Sequence, residues 1–196
     1  MLRKHSMPDS SFFVIGIAAS VGGFEALKVI IAELPDDYAA CVLIVRHRTS
    51  DGPDLFADIL QNLTRLRVKA AEEGDLLAPA TVYVAQPGWH LLATAAGTLH
   101  LSNSPRVKHV RPSADVLFKS MAESLGRRAV AVVLTGYDGD GSGGLAAIRT
   151  MDGRVIVQDP DSAQVSCMPE AALATGQVDY VVPLGGIAAA MVVAIA

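Results

Sequence analysis

Three side chains able to build a hydrolytic site each stand just after an apolar run. Ser20 follows Phe12-Phe13-Val14-Ile15-Gly16-Ile17-Ala18, His47 follows residues 40–45, and Asp140 lies in the loop after the run Ala129 to Thr135. A serine hydroxyl is a poor nucleophile until a base takes its proton. A histidine, with an ordinary pKa of about 6.5, supplies that base near neutral pH. An aspartate orients the imidazole and stabilises its charged form. The order Ser, His, Asp differs from the Ser, Asp, His order of α/β-hydrolases, but a triad is defined by geometry.

Each residue also has a plainer reading. Ser20 sits in Ala18-Ala19-Ser20-Val21-Gly22-Gly23, which is only half of G-x-S-x-G because Ala18 takes the first glycine position. A helix N-cap serine fits the same residues, and free N–H groups at that helix start could hold an oxyanion. His47, between Arg46 and Arg48, could be a loop histidine bonded to backbone; His90 and His109 compete with it, whereas His5 lies in the N-terminal stretch and His100 in an insertion. In the loop Thr135-Gly136-Tyr137-Asp138-Gly139-Asp140-Gly141-Ser142-Gly143-Gly144, Asp138 competes with Asp140 as the orienting carboxylate. Asp138, Asp140 and Ser142 also imitate the start of a calcium loop, but its closing bidentate Glu would fall on Arg149. There is neither a phosphate-cradling GxxxxGK[ST] nor a proper GxGxxG directly after a strand.

Chemistry at strand ends requires strands that end together, and the order of elements predicts them. Buried apolar runs at 12–18, 40–45, 129–135, 154–158 and 180–182 alternate with helices over 24–33, 53–62, 113–125, 145–151 and 168–175, and a terminal helix closes the chain. Ser113 is the expected N-cap of the third helix, with Asp115 in its first turn. Short runs at 81–86, 90–95 and 98–103, split by Pro87-Gly88 and Ala96-Gly97, predict a β-hairpin insertion. The fold class is α/β, a doubly wound and mainly parallel sheet with helices on both faces, whose ligands sit beyond the carboxyl ends of the strands. Residues 1–11 read as a loose tail and 12–196 as one domain.

Composition bounds the partners. With 51% hydrophobic residues and 18% charged ones among 196, the chain has the apolar content to fold that disordered chains lack. Sixteen Lys+Arg against 20 Asp+Glu leave a net charge of −4, which argues against a nucleic-acid binder. Cys41 and Cys167 stand outside any CxxC pair, so reduced cytoplasm is the expected compartment. Arg3 and Lys4 before the first apolar run imitate a secretory signal, but Asp9, Ser10 and Ser11 interrupt it and cleavage would delete the first core strand. The terminal stretch 187–196 is far shorter than the ~20 residues of a spanning helix. No membrane insertion is expected.

Taken together these segments resemble the catalytic domain of CheB-type chemotaxis protein-glutamate methylesterases. Ile17-Ala18-Ala19-Ser20-Val21-Gly22-Gly23-Phe24-Glu25-Ala26 is similar to the family's I-G-A-S-T-G-G-x-E-A, and Val45-Arg46-His47 to its strand-end Q-H. Arg111-Pro112-Ser113-Ala114-Asp115-Val116-Leu117-Phe118 resembles R-P-S-V-D-V-L-F. Leu134-Thr135-Gly136-Tyr137-Asp138-Gly139-Asp140-Gly141 resembles L-T-G-M-G-x-D-G, and Gln158 and Met168-Pro169-Glu170-Ala171-Ala172 resemble the later A-Q and M-P-x-E-A segments. The resemblance implies a triad of Ser20, His47 and Asp140, since Asp138 takes a place usually held by Gly. It implies hydrolysis of glutamyl methyl esters on methyl-accepting chemoreceptors, and deamidation of certain receptor glutamines, with no metal or organic cofactor. Val21, Gly22, Tyr137 and Met168 become candidates for the oxyanion site and pocket, and Arg46, Arg48 and Arg111 for a rim facing an acidic receptor helix.

The departures from that pattern bear on turnover. Val21 replaces Thr, Tyr137 replaces Met, Asp138 adds a carboxylate, Arg48-Thr49 replaces Met-Pro, and R-H-R-P becomes His109-Val110-Arg111-Pro112. Another ester or amide substrate, or a receptor-binding domain without turnover, are the rival readings. The family usually carries an N-terminal receiver domain, and only about a dozen residues precede the first strand here. A stand-alone esterase under a separate regulatory protein, a constitutively active one, and an excised domain of a longer protein all fit a chain with these bounds.

Overall fold

The structure, a computed structural model, describes residues 12–48 and 55–196. Its strands and helices follow as β1 (Phe13–Ala19), α1 (Gly23–Glu33), β2 (Ala40–Arg46), α2 (Phe56–Gln61), β3 (Arg67–Ala70), β4 (Thr81–Val84), β5 (His90–Ala93) and β6 (Leu99–Ser102). Then come α3 (Ala114–Leu125), β7 (Ala129–Val133), α4 (Leu145–Thr150), β8 (Arg154–Gln158), α5 (Cys167–Leu173), β9 (Tyr180–Val182) and α6 (Ile187–Val193).

Seven strands form one sheet in the order β3-β4-β2-β1-β7-β8-β9, with every neighbouring pair parallel. Such strands are covered on both faces and read as unbroken apolar runs. In β1, Val14 and Ala18 join the core beneath α3, α4 and α5, whereas Ile15, Ile17 and Ala19 join the core beneath α1, α2 and α6. In α1 the buried Ala26, Leu27, Ile30 and Ile31 form the helical stripe that meets this second face. Each fully buried Ile or Leu contributes roughly 1.5–3 kcal/mol, so β1 is held from both sides. The predicted α/β doubly wound fold is the one observed.

Several boundaries differ from the sequence expectation. Thr81–Val84 is not part of the insertion but strand β4, paired with β2 and β3 in the main sheet. Only β5 and β6 form the hairpin, with His90 opposite Ser102, and Ala93 ties it to α3 by accepting from Ser124 Oγ and donating its N–H to Ser120 Oγ. β3 was not expected from sequence at all. Ser113 occupies the N-cap position of α3 without capping it; its hydroxyl is used elsewhere. The expected tail at 1–11, and the start of the second helix at Pro53, lie outside the described residues. Cys41 is buried and Cys167 exposed, and both are free thiols. Among the described residues no helix is long and apolar enough to cross a membrane.

Candidate active site

Strand order reverses between β1 and β7, because the chain runs outward from β1 to one edge and from β7 to the other. A crevice opens at the carboxyl ends of the strands at such a point. Ser20 stands there. Its N–H donates to the Thr135 carbonyl beyond β7 (3.0 Å), and on the other side the His47 N–H donates to the Ala19 carbonyl (2.9 Å). The parallel register pairs Ala19 with Arg46, so the residues that follow them, Ser20 and His47, emerge side by side.

After Ser20 the chain turns sharply. Gly22 adopts φ +80°, a left-handed conformation that suits glycine, and α1 begins at the next residue. Gly136 is required for a different reason. A Cβ there would lie 2.0 Å from Met168 Sδ and 2.7 Å from Ser20 Cβ, so only a glycine lets the loop after β7 pass between them. Its own polar groups are spent on Val165 O and Met168 N–H, each at 3.0 Å. Among the described residues no hydrogen bond engages the N–H of Val21 or Tyr137, which leaves those two as free donors beside Ser20.

Asp140 is 1% exposed and fully committed. Its Oδ2 lies 2.9 Å from His47 Nε2 and accepts the Ala114 N–H at 2.6 Å. Its Oδ1 accepts the Ser113 hydroxyl at 2.6 Å and the Asp115 N–H at 3.2 Å. The start of α3 thus serves as an anion site for a carboxylate of the same chain. Burial alone would raise the Asp140 pKa, but His47, Ser113 and the two backbone donors outweigh it and hold it below the ordinary value. These donors were not read from the sequence; the only signal was a helix start at Ser113, which predicts an anion without saying which. One layer further out, His90 Nδ1 accepts the Ser113 N–H (3.1 Å) while Nε2 contacts the Pro105 carbonyl (3.1 Å), so His90 buttresses the site without entering it.

His47 faces a second carboxylate. Nδ1 stands 3.1 Å from Asp138 Oδ2, yet this buried nitrogen has no aligned hydrogen-bond partner, Ser20 included. Burial disfavours the imidazolium, but Asp138 and Asp140 outweigh it and push the pKa up to about 9. Asp138 is correspondingly held below its ordinary value, chiefly by His47. Asp138 Oδ1 accepts the Asp140 N–H (3.0 Å), and Ser142 Oγ donates to Gly139 O (2.6 Å). The three side chains that imitate a calcium loop are therefore engaged within the protein, Asp138 and Asp140 with His47 and Ser142 with Gly139 O.

Around this centre Val21 and Tyr137 are 40% and 72% exposed, giving the crevice an apolar lip. Met168 is buried behind Gly136. The Arg46 guanidinium stacks near Phe56 (4.4 Å) and Phe24 (5.8 Å). Arg111 donates to the carbonyls of Asn103 and Ser104 at 2.6 and 2.9 Å, stapling the segment before α3. Arg48 follows His47 and is half-buried. His109 lies on the neighbouring segment with φ +69°. Lys108 Nζ bridges Gly139 O (2.8 Å) and Asp115 Oδ2 (3.0 Å), fastening that segment to the aspartate loop.

Residues 15–191 match the family model described as CheB methylesterase. The protein-glutamate methylesterase FrzG of Myxococcus xanthus is 38% identical over 96% of this chain and 56% of its own length. A protein-glutamate methylesterase/protein-glutamine glutaminase of Geobacter metallireducens is 40% identical over 93% of this chain and 51% of its own. The chain thus spans about half the length of these two curated relatives. A relative from Leptospira interrogans, 36% identical, is covered over 92% of its length and 91% of this chain. Among solved structures, the CheB methylesterase catalytic domain of Thermotoga maritima superposes with a TM-score of 0.89 at 31% identity, covering 93% of this chain and 98% of that one.

Proposed function

The chain belongs to the CheB methylesterase family, and on that footing we propose that it is a serine esterase hydrolysing glutamyl methyl esters on chemoreceptors. The observation that carries the reading is the His47 Nε2 to Asp140 Oδ2 contact of 2.9 Å beside Ser20, at the switch point of the sheet.

With Asp140 on Nε2, Nδ1 is the nitrogen left to act as base. Nδ1 takes the Ser20 hydroxyl proton as Oγ attacks the ester carbonyl, and Asp140 stabilises the imidazolium that results. The free N–H groups of Val21 and Tyr137 are the donors for the tetrahedral oxyanion; Gly136 N–H is already bonded to Val165 O. Imidazolium then protonates the departing methoxide. Water, deprotonated by the same nitrogen, cleaves the glutamyl–serine ester and returns glutamate and free Ser20. The same sequence on a glutamine side chain releases ammonia, which is the second activity printed in the Geobacter relative's name.

The substrate reading adds a receptor helix lying along the crevice, with Val21 and Tyr137 against its apolar residues. The free thiols of Cys41 and Cys167 fit a reducing cytoplasm, where the methylated segments of receptors lie. A separate regulatory protein that governs access to the crevice completes this reading. Methanol release from methylated chemoreceptor is the test. Release that disappears in Ser20→Ala supports it; Ser20-dependent cleavage of simple esters without methanol release from receptor would replace the substrate, not the chemistry.

A further inference from the structure

Asp138 stands where no part of that reaction uses a side chain, yet it touches the atom on which the reaction turns. Asp140 takes Nε2 at 2.9 Å, so Nδ1 is the one imidazole nitrogen left for Ser20, and Asp138 Oδ2 lies 3.1 Å from it. Nδ1 is buried, with no aligned hydrogen bond. The Asp138 side chain is about one-third exposed and its other oxygen is tied to the Asp140 N–H at 3.0 Å. It is therefore anchored at one oxygen and open to solvent at its flank, so that rotation about its side-chain bonds would clear Nδ1 without disturbing the core.

We propose that Asp138 is a positioning residue that competes with Ser20 for His47 Nδ1, holding the ring as an imidazolium paired with two carboxylates and releasing it for catalysis only when the Asp138 carboxylate turns away. This inference deepens the esterase reading above and rests on Ser20 and His47 acting as nucleophile and base.

The electrostatics of the surroundings point the same way. From the loop after β7, His47 meets Asp138 and Asp140. From α3 comes Asp115, which is already paired with Lys108 of the neighbouring segment (3.0 Å) and accepts the Gly144 N–H (3.0 Å). From β2 come its own neighbours Arg46, stacked on Phe24 and Phe56, and Arg48. Lys108 is turned to Gly139 O as well. Two carboxylates thus bear directly on one imidazole, and Lys108 is spent on other partners. With His47 pushed up to about 9, only about one molecule in a hundred carries the neutral base at pH 7. A single orienting aspartate would demand no such suppression.

The experiment is a pH series of Ser20 labelling by a fluorophosphonate probe on the full chain, in the parent protein, Asp138→Asn and Asp138→Gly, with Ser20→Ala as blank. Asn keeps an acceptor for the Asp140 N–H and removes the charge; Gly serves if Asn distorts the turn. In the variants the rising, base-controlled limb of the labelling rate moves down by at least about one pH unit, and the rate at pH 7 rises about tenfold, as expected when a base is freed near the working pH. An unmoved limb overturns the proposal, as does a loss of labelling as deep as in Asp140→Asn, which would make Asp138 the orienting carboxylate. The His47 imidazole titration, followed by NMR with His47→Gln for assignment, reads the pairing without catalysis. A parent titration near 9 that falls in Asp138→Asn supports it, and an unchanged titration overturns it. If Ser20 labels in no variant, the esterase reading fails while that titration still decides the Asp138 pairing.

Discussion

Ser113 donates its hydroxyl to Asp140 Oδ1 at 2.6 Å, across 27 residues of chain. The serine stands where a helix cap is expected, but its side chain caps nothing in α3. It serves the carboxylate that holds His47. Capping and catalytic support draw on the same local geometry, since both need a short hydroxyl at a helix start.

Ser113→Ala removes a buried, charge-assisted bond and leaves Oδ1 with the Asp115 N–H alone, at 3.2 Å. Hydrogen bonds to charged groups contribute about 1.5–3 kcal/mol. A urea denaturation midpoint lowered by a corresponding amount is expected. Ser20 labelling falls less than in an Asp140 variant, because the Ala114 N–H still holds Oδ2 at 2.6 Å. A loss of activity without a loss of stability would contradict this account.

Asp140→Asn keeps the shape and removes the charge that faces His47 Nε2. The amide can present its NH2 to the imidazole and force the wrong tautomer, an effect worth about 10⁴ in rate in a serine protease triad. The expected outcome is labelling by a fluorophosphonate slowed by roughly three orders of magnitude or more, with circular dichroism unchanged. Asp138→Asn should not share this fate.

The ends of β1 and β2 were legible because unbroken apolar runs stop there, and this made Ser20 and His47 candidates. β3 was not legible. Its residues Arg67, Val68, Lys69 and Ala70 bury only Val68 at a sheet edge, so they carry no run and little alternation. Thr81–Val84 reads as a strand, but its partner β2 lies some forty residues earlier, and adjacency of that kind leaves no periodic trace. The choice between Asp138 and Asp140 was equally closed to local reasoning. Both face His47, and what separates them is the set of α3 donors converging on Asp140 alone.

Gly136→Ala tests the close approach at Ser20. The new Cβ would meet Met168 Sδ at 2.0 Å and Ser20 Cβ at 2.7 Å, distances that force the loop or the serine to move. Overpacking of this kind costs about 1–3 kcal/mol. The melting temperature should fall, and Ser20 labelling should fall far more, because the displaced side chain is the proposed nucleophile. Met168→Ala combined with Gly136→Ala should recover part of both, measured as a double-mutant cycle.

Stability should carry the signature of His47. Its pKa is raised in the folded protein to about 9 by the two aspartates, against about 6.5 when unfolded. A raised group stabilises fully below its unfolded value, and that stabilisation is lost as pH rises through the folded one. The depressed Asp138 and Asp140 stabilise above their unfolded values and lose that contribution as pH falls through the folded ones. These are two views of one set of contacts, not independent gains. Between pH 6 and 9.5 the unfolding free energy should therefore decline, by on the order of 3 kcal/mol at about 1.36 kcal/mol per pKa unit. Urea titrations at half-unit intervals would measure it. His47→Gln should flatten the decline, and Asp138→Asn should shrink it and shift it to lower pH. A decline that persists undiminished in His47→Gln would assign it to other groups and remove the electrostatic basis of the paired carboxylates.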